Sequence, residues 1–186
     1  MVHGLRSQFA FAIGAVNPQN PRLREVDIFL AGIWLTCEDD YAFVPAFAYA
    51  LERTIDWVLG NKFPSSPYPQ LSPDELHRRL AIESDGGAGF LNWGPTTDNF
   101  KSFAYRDAQT VHITASFYNG RNHPRPEELN RVFHTESPER ELLLILHRTA
   151  CDLRHGLSDI TFPAPDAIDP TNAVSSGHDP HDQSPL

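Results

Sequence analysis

The sequence predicts an α+β fold, in which an antiparallel sheet of about five to seven strands carries two main helices packed on one face. Several short segments alternate large apolar residues with small or polar ones, which is the period of a half-buried strand. Two longer segments repeat apolar residues every three or four positions, as an amphipathic helix does. Turn-forming sequences join the strands, as antiparallel hairpins require.

The first two strands are predicted before residue 37. Residues 8–16 alternate larger and small apolar residues, and the sequence NPQNP at 17–21 breaks this strand. Residues 24–36 form a second extended segment, in which Val, Ile and Leu share one face. Ala31 and Gly32 form either a tight turn or a bulge within it.

The first main helix is predicted over residues 45–59, where the apolar residues form one stripe opposite the charged ones. It begins with a proline, which is tolerated there because the missing N–H would have no helical partner anyway. Gly60 suits its end. The proline-rich residues 62–74 predict an irregular connection.

The middle of the chain predicts further strands. A short helix or turn is expected over residues 73–79 and a strand over 80–82, followed by a flexible hairpin loop at 84–89. The clearest hairpin joins residues 99–106 to residues 109–119.

A first helical piece is predicted over residues 126–133, and the second main helix after the N-cap Ser137. This helix extends to about His155. Residues 1–162 are predicted to form a single α+β domain. Residues 163–186, rich in proline and acidic residues, are predicted to be a disordered tail.

The composition restricts the classes of partner. The net charge is −9, with 24 acidic against 15 basic residues, which argues against a nucleic-acid partner. The acidity suits a basic protein partner or only aids solubility. Because the chain lacks the roughly 20 apolar residues of a membrane span and has no strong secretion signal, we predict a cytoplasmic protein without a membrane partner. The two cysteines cannot make a disulfide framework.

One segment of the last helix has the residue types of a metal site. His147, Cys151 and His155 are spaced one turn apart on its surface. Arginines lie among them, and a structural zinc site requires four ligands at tighter spacing. The sequence therefore predicts a solvated helix face, with no metal and no cofactor.

A second segment, VHITASF at residues 111–117, contains an H-x-T tripeptide that resembles half of the motif of two-histidine phosphoesterases. In that chemistry one histidine acts as base and another as acid, while threonine hydroxyls hold the phosphate. His112 and Thr114 share one face of the predicted strand. The other H-x-T, at residues 147–149, lies in a predicted helix, where residues two apart diverge. A polar sheet face is the favoured interpretation, and a hydrolase of a cyclic phosphodiester using His112 and Thr114 is the alternative.

Residues 26–59, VDIFLAGIWLTCEDDYAFVPAFAYALERTIDWVL, resemble the layout of bacterial immunity proteins of polymorphic toxin systems. The layout is a strand, a small turn, a short strand, an acidic loop and an amphipathic helix. A strand-rich middle and a terminal helix over residues 80–155 complete it. Such families are small, acidic, cytoplasmic and non-catalytic, and they cover the active site or another essential surface of a cognate toxin.

The resemblance implies a non-catalytic protein that neutralises a cognate toxin by direct contact. Interfaces combine aromatic anchors with charged residues, so acidic segments that contain aromatic residues are the candidate binding sites. These residues are Glu38, Asp39, Asp40 and Tyr41 in one segment, and Asp85 and Trp93 in another. An orphan structural or regulatory domain is a further alternative. The toxin's identity, the strand order and the oligomeric state are not specified by the sequence.

Overall fold

The computed structural model describes residues 1–37, 39–60, 62–83, 87–118 and 123–155. The predicted tail at 163–186 lies outside these residues. The described chain contains three α-helices: α1 (Val44–Leu59), α2 (Pro73–Ile82) and α3 (Glu139–His155). Its strands are β1 (Val2–Gly4), β2 (Phe9–Asn17), β3 (Asn20–Leu30), β4 (Ile33–Trp34), β5 (Tyr41–Phe43), β6 (Phe100–Asp107), β7 (Thr110–Phe117) and β8 (Phe133–Pro138).

The predicted α+β class is confirmed, but the strands divide between two antiparallel sheets instead of forming one. The first sheet has the order β1-β2-β3-β4, and β5 also pairs with β3. The second sheet has the order β6-β7-β8 and contains the predicted hairpin. Most of the paired strands follow one another in the chain, so short hairpin connections suffice for their antiparallel pairing.

A tight turn joins β3 to β4 at Ala31 and Gly32, as one of the two sequence alternatives predicted. Both residues have positive φ, 50° and 83° respectively, and they connect the paired residues Leu30 and Ile33. Positive φ at both central residues matches the twist of a hairpin, and glycine adopts it without the steric cost that a Cβ imposes.

The main core lies where α1 and α3 pack on one face of the first sheet. Alternate residues of β2 and β3 point toward these helices, among them Phe11 opposite Ile28. The Phe11 ring lies 6.5 Å from that of Phe47 on α1. Apolar residues of β7, such as Ile113, enter the same cluster, so both sheets share this core.

The prediction of a strand at residues 80–82 is wrong, because α2 continues through them to Ile82. The Ser72 side chain accepts a hydrogen bond from the Glu75 backbone, and the Glu75 carboxylate accepts one from the Ser72 backbone. This capping box sets the start of the helix. Leu76 and Leu80 then fall on one helical face and pack against the second sheet.

The predicted helical piece at residues 126–133 is also wrong. Pro126–Glu128 forms a single 3-10 turn, and strand β8 then extends from Phe133 to Pro138. Phe133, Thr135 and Ser137 are buried, while the residues between them are more exposed. Two small polar side chains occupy the buried face, which hid the strand period from a hydrophobicity pattern.

The extents of the two main helices were predicted to within one or two residues, since α1 begins one residue before the expected start and α3 ends at the expected His155. The predicted N-cap Ser137 is wrong, because Ser137 and Pro138 belong to β8, α3 begins at Glu139, and the Ser137 hydroxyl donates to the Pro138 carbonyl. In the parts of the chain that are described, no helix combines the length and apolar character that a bilayer crossing demands.

Candidate functional site

The structure describes four of the six predicted binding residues. Asp39, Asp40 and Tyr41 lead into β5 at one end of the first sheet, and Trp93 lies in the connection before β6. Glu38 and Asp85 lie outside the described residues. The four that are described do not form one site, because Trp93 is in the core and the other three lie toward the surface.

Tyr41 belongs to a larger surface on the side of the first sheet opposite α1 and α3. β3 alternates Val26 and Ile28 toward the core with half-buried residues on the other side. β5 places Tyr41 opposite Glu25, and β4 places Trp34 opposite Phe29. We call this surface the acidic–aromatic face, and it comprises Glu25, Asp27, Phe29, Trp34, Tyr41 and Phe43.

Hydrogen bonds fix Tyr41 on this face. Its hydroxyl donates to the Glu25 carboxylate at 3.2 Å, and its backbone N–H donates to the Asp39 carboxylate at 3.2 Å. The hydrogen bond to Glu25 raises the pKa of Tyr41. Tyr41 is nevertheless 36% exposed, and Phe43 is 44% exposed. Two aromatic side chains, one of them held by hydrogen bonds, are therefore available to a partner.

Several charged residues surround Asp27 on the acidic–aromatic face. Burial raises the pKa of its carboxyl, a hydrogen bond from Trp34 opposes this, and the nearby charges of Asp40 and Glu25 raise it further. Arg6, whose guanidinium lies 4.5 Å from the centre of the Phe29 ring, partly offsets the repulsion. A cation brought to this surface would interact favourably with several carboxylates at once.

Trp93, in contrast, is a core residue. Its ring stacks on Phe11 at 5.8 Å and meets Phe47 edge to face at 5.3 Å. The indole N–H donates to the Thr54 hydroxyl at 3.2 Å. With 8% of the residue exposed, Trp93 contributes packing in this conformation, and its predicted binding role would require the core to open.

A second group of polar residues lies on the second sheet, away from the main core. His112 on β7 is opposite Glu136 on β8, and His134 lies two residues before Glu136 on the same face. The Nδ1 atom of His112 is 3.2 Å from Nε2 of His134 and 3.5 Å from a Glu136 carboxylate oxygen. Burial, followed by the charge of His112, lowers the pKa of His134.

The ring of Tyr105 on β6 holds His112 from the other side. The two rings are parallel within 3° and their centres are 5.0 Å apart. Burial, with the Glu136 charge, raises the pKa of Tyr105 to about 12, so its hydroxyl stays protonated. Sequence reasoning identified His112 but did not place His134 and Glu136 beside it, because the polar residues on the buried face of β8 hid this strand.

Thr114 shares the strand face of His112, as predicted, but α2 covers it completely. Its hydroxyl lies 2.9 Å from Nδ1 of His77, whose Nε2 is 2.7 Å from the Ser116 hydroxyl. Burial lowers the pKa of His77 to about 4. These three side chains tie α2 to the sheet, and the buried Thr114 hydroxyl has no path to a phosphate group.

The helical stripe of His147, Cys151 and His155 lies on the outer side of α3, where both histidines are exposed. The Cys151 sulfur is 3.7 Å from Nδ1 of His147. This position agrees with the predicted solvated helix face.

No protein-family model and no curated protein matches this sequence. Among solved structures, the fold is similar to the crystal structure of CdiI from Burkholderia dolosa, with a TM-score of 0.58 and 13% sequence identity. The superposed region covers 82% of this chain and 99% of the CdiI chain. The similarity therefore extends over nearly the entire CdiI fold, and at 13% sequence identity it shows a shared architecture only.

Proposed function

We propose that this protein is a bacterial immunity protein that acts in the cytoplasm and neutralises a cognate toxin by direct protein–protein contact. The fold shared with the immunity protein CdiI, over 82% of this chain and 99% of that one, is the observation that carries the proposal. The layout of residues 26–59, a strand, a turn, a short strand, an acidic loop and an amphipathic helix, also resembles that of immunity proteins.

The acidic–aromatic face is the proposed contact surface. It lies opposite the two main helices, so a partner can cover it without displacing the core. Tyr41 and Phe43 offer aromatic side chains of the kind that anchor interfaces. The carboxylates of Glu25 and Asp27 complement a basic surface, and the net charge of −9 would speed the approach of a basic toxin domain.

The proposed roles of the two side-chain types differ. Truncating an aromatic anchor at the centre of an interface costs about 2 kcal/mol or more, which is roughly a 30-fold loss of affinity. Acidic residues at the rim change mainly the association rate and its dependence on salt. We therefore expect Tyr41 to govern affinity, and Asp40, which adjoins Tyr41 just outside the acidic–aromatic face, to govern the association rate.

The phosphoesterase alternative has less support. It requires a threonine hydroxyl that reaches a phosphate beside the histidine, and Thr114 is fully buried against His77. The second histidine, His134, is followed two residues later by Glu136 where the motif requires a threonine or serine. A structural or regulatory domain is the interpretation that remains if no toxin is bound.

The test uses the toxin domain encoded beside the gene for this protein. The two chains are co-expressed, and the affinity of the purified pair is measured by calorimetry. We expect a stoichiometric complex, weakened at least about 30-fold by Tyr41→Ala. Tyr49→Ala is the matched control, because Tyr49 is 63% exposed on α1, away from the acidic–aromatic face.

A second matched pair tests the charge. Asp40→Asn is expected to slow association and reduce its salt dependence, whereas Asp56→Asn on the exposed side of α1 leaves both unchanged. Equal effects of the two tyrosine variants, or of the two aspartate variants, would place the contact elsewhere. Failure to bind or inhibit the toxin would contradict the proposed function itself.

A further inference from the structure

We infer that His112, His134 and Glu136 form a binding site for a divalent transition-metal cation, with Zn²⁺ as the best match. The inference goes beyond toxin binding and does not depend on it. It departs from the sequence prediction of no metal, because the three residues come together only through the register of β7 and β8.

The strand register delivers the ligands without any loop. Glu136 lies directly opposite His112, and His134 lies on the neighbouring diagonal. Since side chains alternate along a strand, all three project from the same face. A site built on paired strands is held more firmly than one built on loops, because the backbone hydrogen bonds fix the relative positions of its ligands.

The three donor atoms are spaced as ligands of one small cation. Nδ1 of His112 and Nε2 of His134 are 3.2 Å apart, and the Glu136 carboxylate oxygen is 3.5 Å from the first and 4.0 Å from the second. The nearest point equidistant from these atoms lies in their plane, about 2.1 Å from each, which is the bond length of Zn²⁺ to imidazole nitrogen and to carboxylate oxygen. A tetrahedral ion lies out of this plane, so the exposed Glu136 carboxylate would move toward the two histidines on binding.

The orientation of the rings is also suitable. Their planes differ by 5° and their centres are 5.4 Å apart, so the 3.2 Å between the two nitrogens places these atoms between the centres, edge to edge. The two nitrogens thus face each other, and because the torsional well of a histidine ring is broad, His134 can turn toward an ion beside the line that joins them.

The surroundings suit a three-ligand site with one open position. Tyr105 packs flat against His112 and restricts its ring. The side chains of His112 and His134 are 17% and 27% exposed, while that of Glu136 is 58% exposed, so the site opens to solvent on the Glu136 side. Two histidines and one glutamate, with water at the fourth position, form a known tetrahedral zinc arrangement.

The alternative is a hydrogen bond between the two imidazoles that serves only to join β7 to β8. The two arrangements differ in their response to metal. We would titrate the full chain with ZnCl₂ in calorimetry, and with MgCl₂ in parallel. Binding of one Zn²⁺ at the tightest site and weak or no binding of Mg²⁺ are expected, because imidazole ligands do not suit Mg²⁺.

Variants locate the ion. His134→Ala removes a direct ligand and is expected to weaken Zn²⁺ binding at least about 100-fold. Loss of a residue that only supports a ligand usually weakens metal binding by about 10- to 100-fold. Glu136→Gln is expected to weaken it at least about tenfold, and its exposed position keeps the fold intact. His147→Ala is the matched control, since it removes an exposed histidine from α3, and it should leave the affinity unchanged.

Cobalt provides an independent readout of ligand type. Co²⁺ at the proposed site should show a tetrahedral visible spectrum without a thiolate charge-transfer band, because its ligands are nitrogen and oxygen. The two Cys–His pairs of the described chain, Cys37 with His123 and Cys151 with His147, would produce such a band. A thiolate band, unchanged affinity in His134→Ala and Glu136→Gln, or no Zn²⁺ binding by the folded wild type would overturn the inference.

Discussion

His77 couples the stability of the fold to pH. Only 2% of this residue is exposed, and both ring nitrogens contact hydroxyls of β7, those of Thr114 and Ser116. Its ring also meets Phe103 edge to face at 5.0 Å. Protonation would place a charge in this buried setting and force at least one hydroxyl to change its hydrogen bonding.

The size of the effect follows from the pKa. Burial lowers the pKa of His77 from 6.5 to about 4, the nearby Asp74 opposes this shift, and Arg78 and Lys101 add to it. The unfolded chain therefore binds a proton at a higher pH than the folded chain does. The stabilisation is complete above pH 6.5 and declines as the pH falls toward 4, where both states become protonated. Between about pH 7.5 and about pH 5, the expected loss is about 2 kcal/mol.

Urea unfolding of the wild type and of His77→Gln at these two pH values measures this quantity. Glutamine can hydrogen-bond to hydroxyls but does not titrate, so the variant should lose about 2 kcal/mol less stability on acidification than the wild type. His147→Gln removes an exposed histidine on α3 and should retain the wild-type pH dependence. If His77→Gln and the wild type lose the same free energy of unfolding, His77 is not the coupling residue.

Three further predictions concern the folding free energy measured by urea denaturation. Ser72→Ala removes the capping box that it forms with Glu75 and should destabilise the chain by about 1 kcal/mol, whereas no change would show that the cap is not formed in solution. At the β3–β4 turn, Ala31 has a φ of 50°, a value that asparagine tolerates better than alanine does. Ala31→Asn should therefore stabilise the chain by up to about 1 kcal/mol. A loss of stability would contradict the turn geometry. Phe11→Ala opens a cavity among three packed aromatic rings and should cost about 3–5 kcal/mol, and a cost below about 1 kcal/mol would be inconsistent with this core.

The sequence predicted those elements whose apolar residues follow a single period. α1 has a continuous apolar stripe of about four turns, so its length was predicted to within one residue. The β6–β7 hairpin was predicted because large apolar residues alternate along β7. β8 was missed because Thr135 and Ser137 occupy its buried face, and helix continuation at residues 80–82 was missed because three apolar residues in a row also fit a strand.

In the candidate sites, too, the sequence predicted the residues that are neighbours in the chain and missed those that only strand pairing brings together. The segment that contains Asp39, Asp40 and Tyr41 was recognised from its local composition, but Glu25 and Phe29 join it only through the pairing of β3 with β4 and β5. His134 and Glu136 reach His112 only through β7–β8 pairing. Strand register depends on contacts distant in the sequence, so a single sequence without a known strand order does not determine such groupings.

The central claim is that this protein neutralises a cognate toxin by direct contact. It is tested most directly by the growth of bacteria that produce the toxin domain. Cells that also produce the wild-type chain, or Tyr49→Ala, should grow at the rate of cells without toxin. Cells with Tyr41→Ala should lose this protection at low expression, because the complex is weakened by about 2 kcal/mol. Growth arrest in the presence of a folded, abundant wild-type chain would contradict the account.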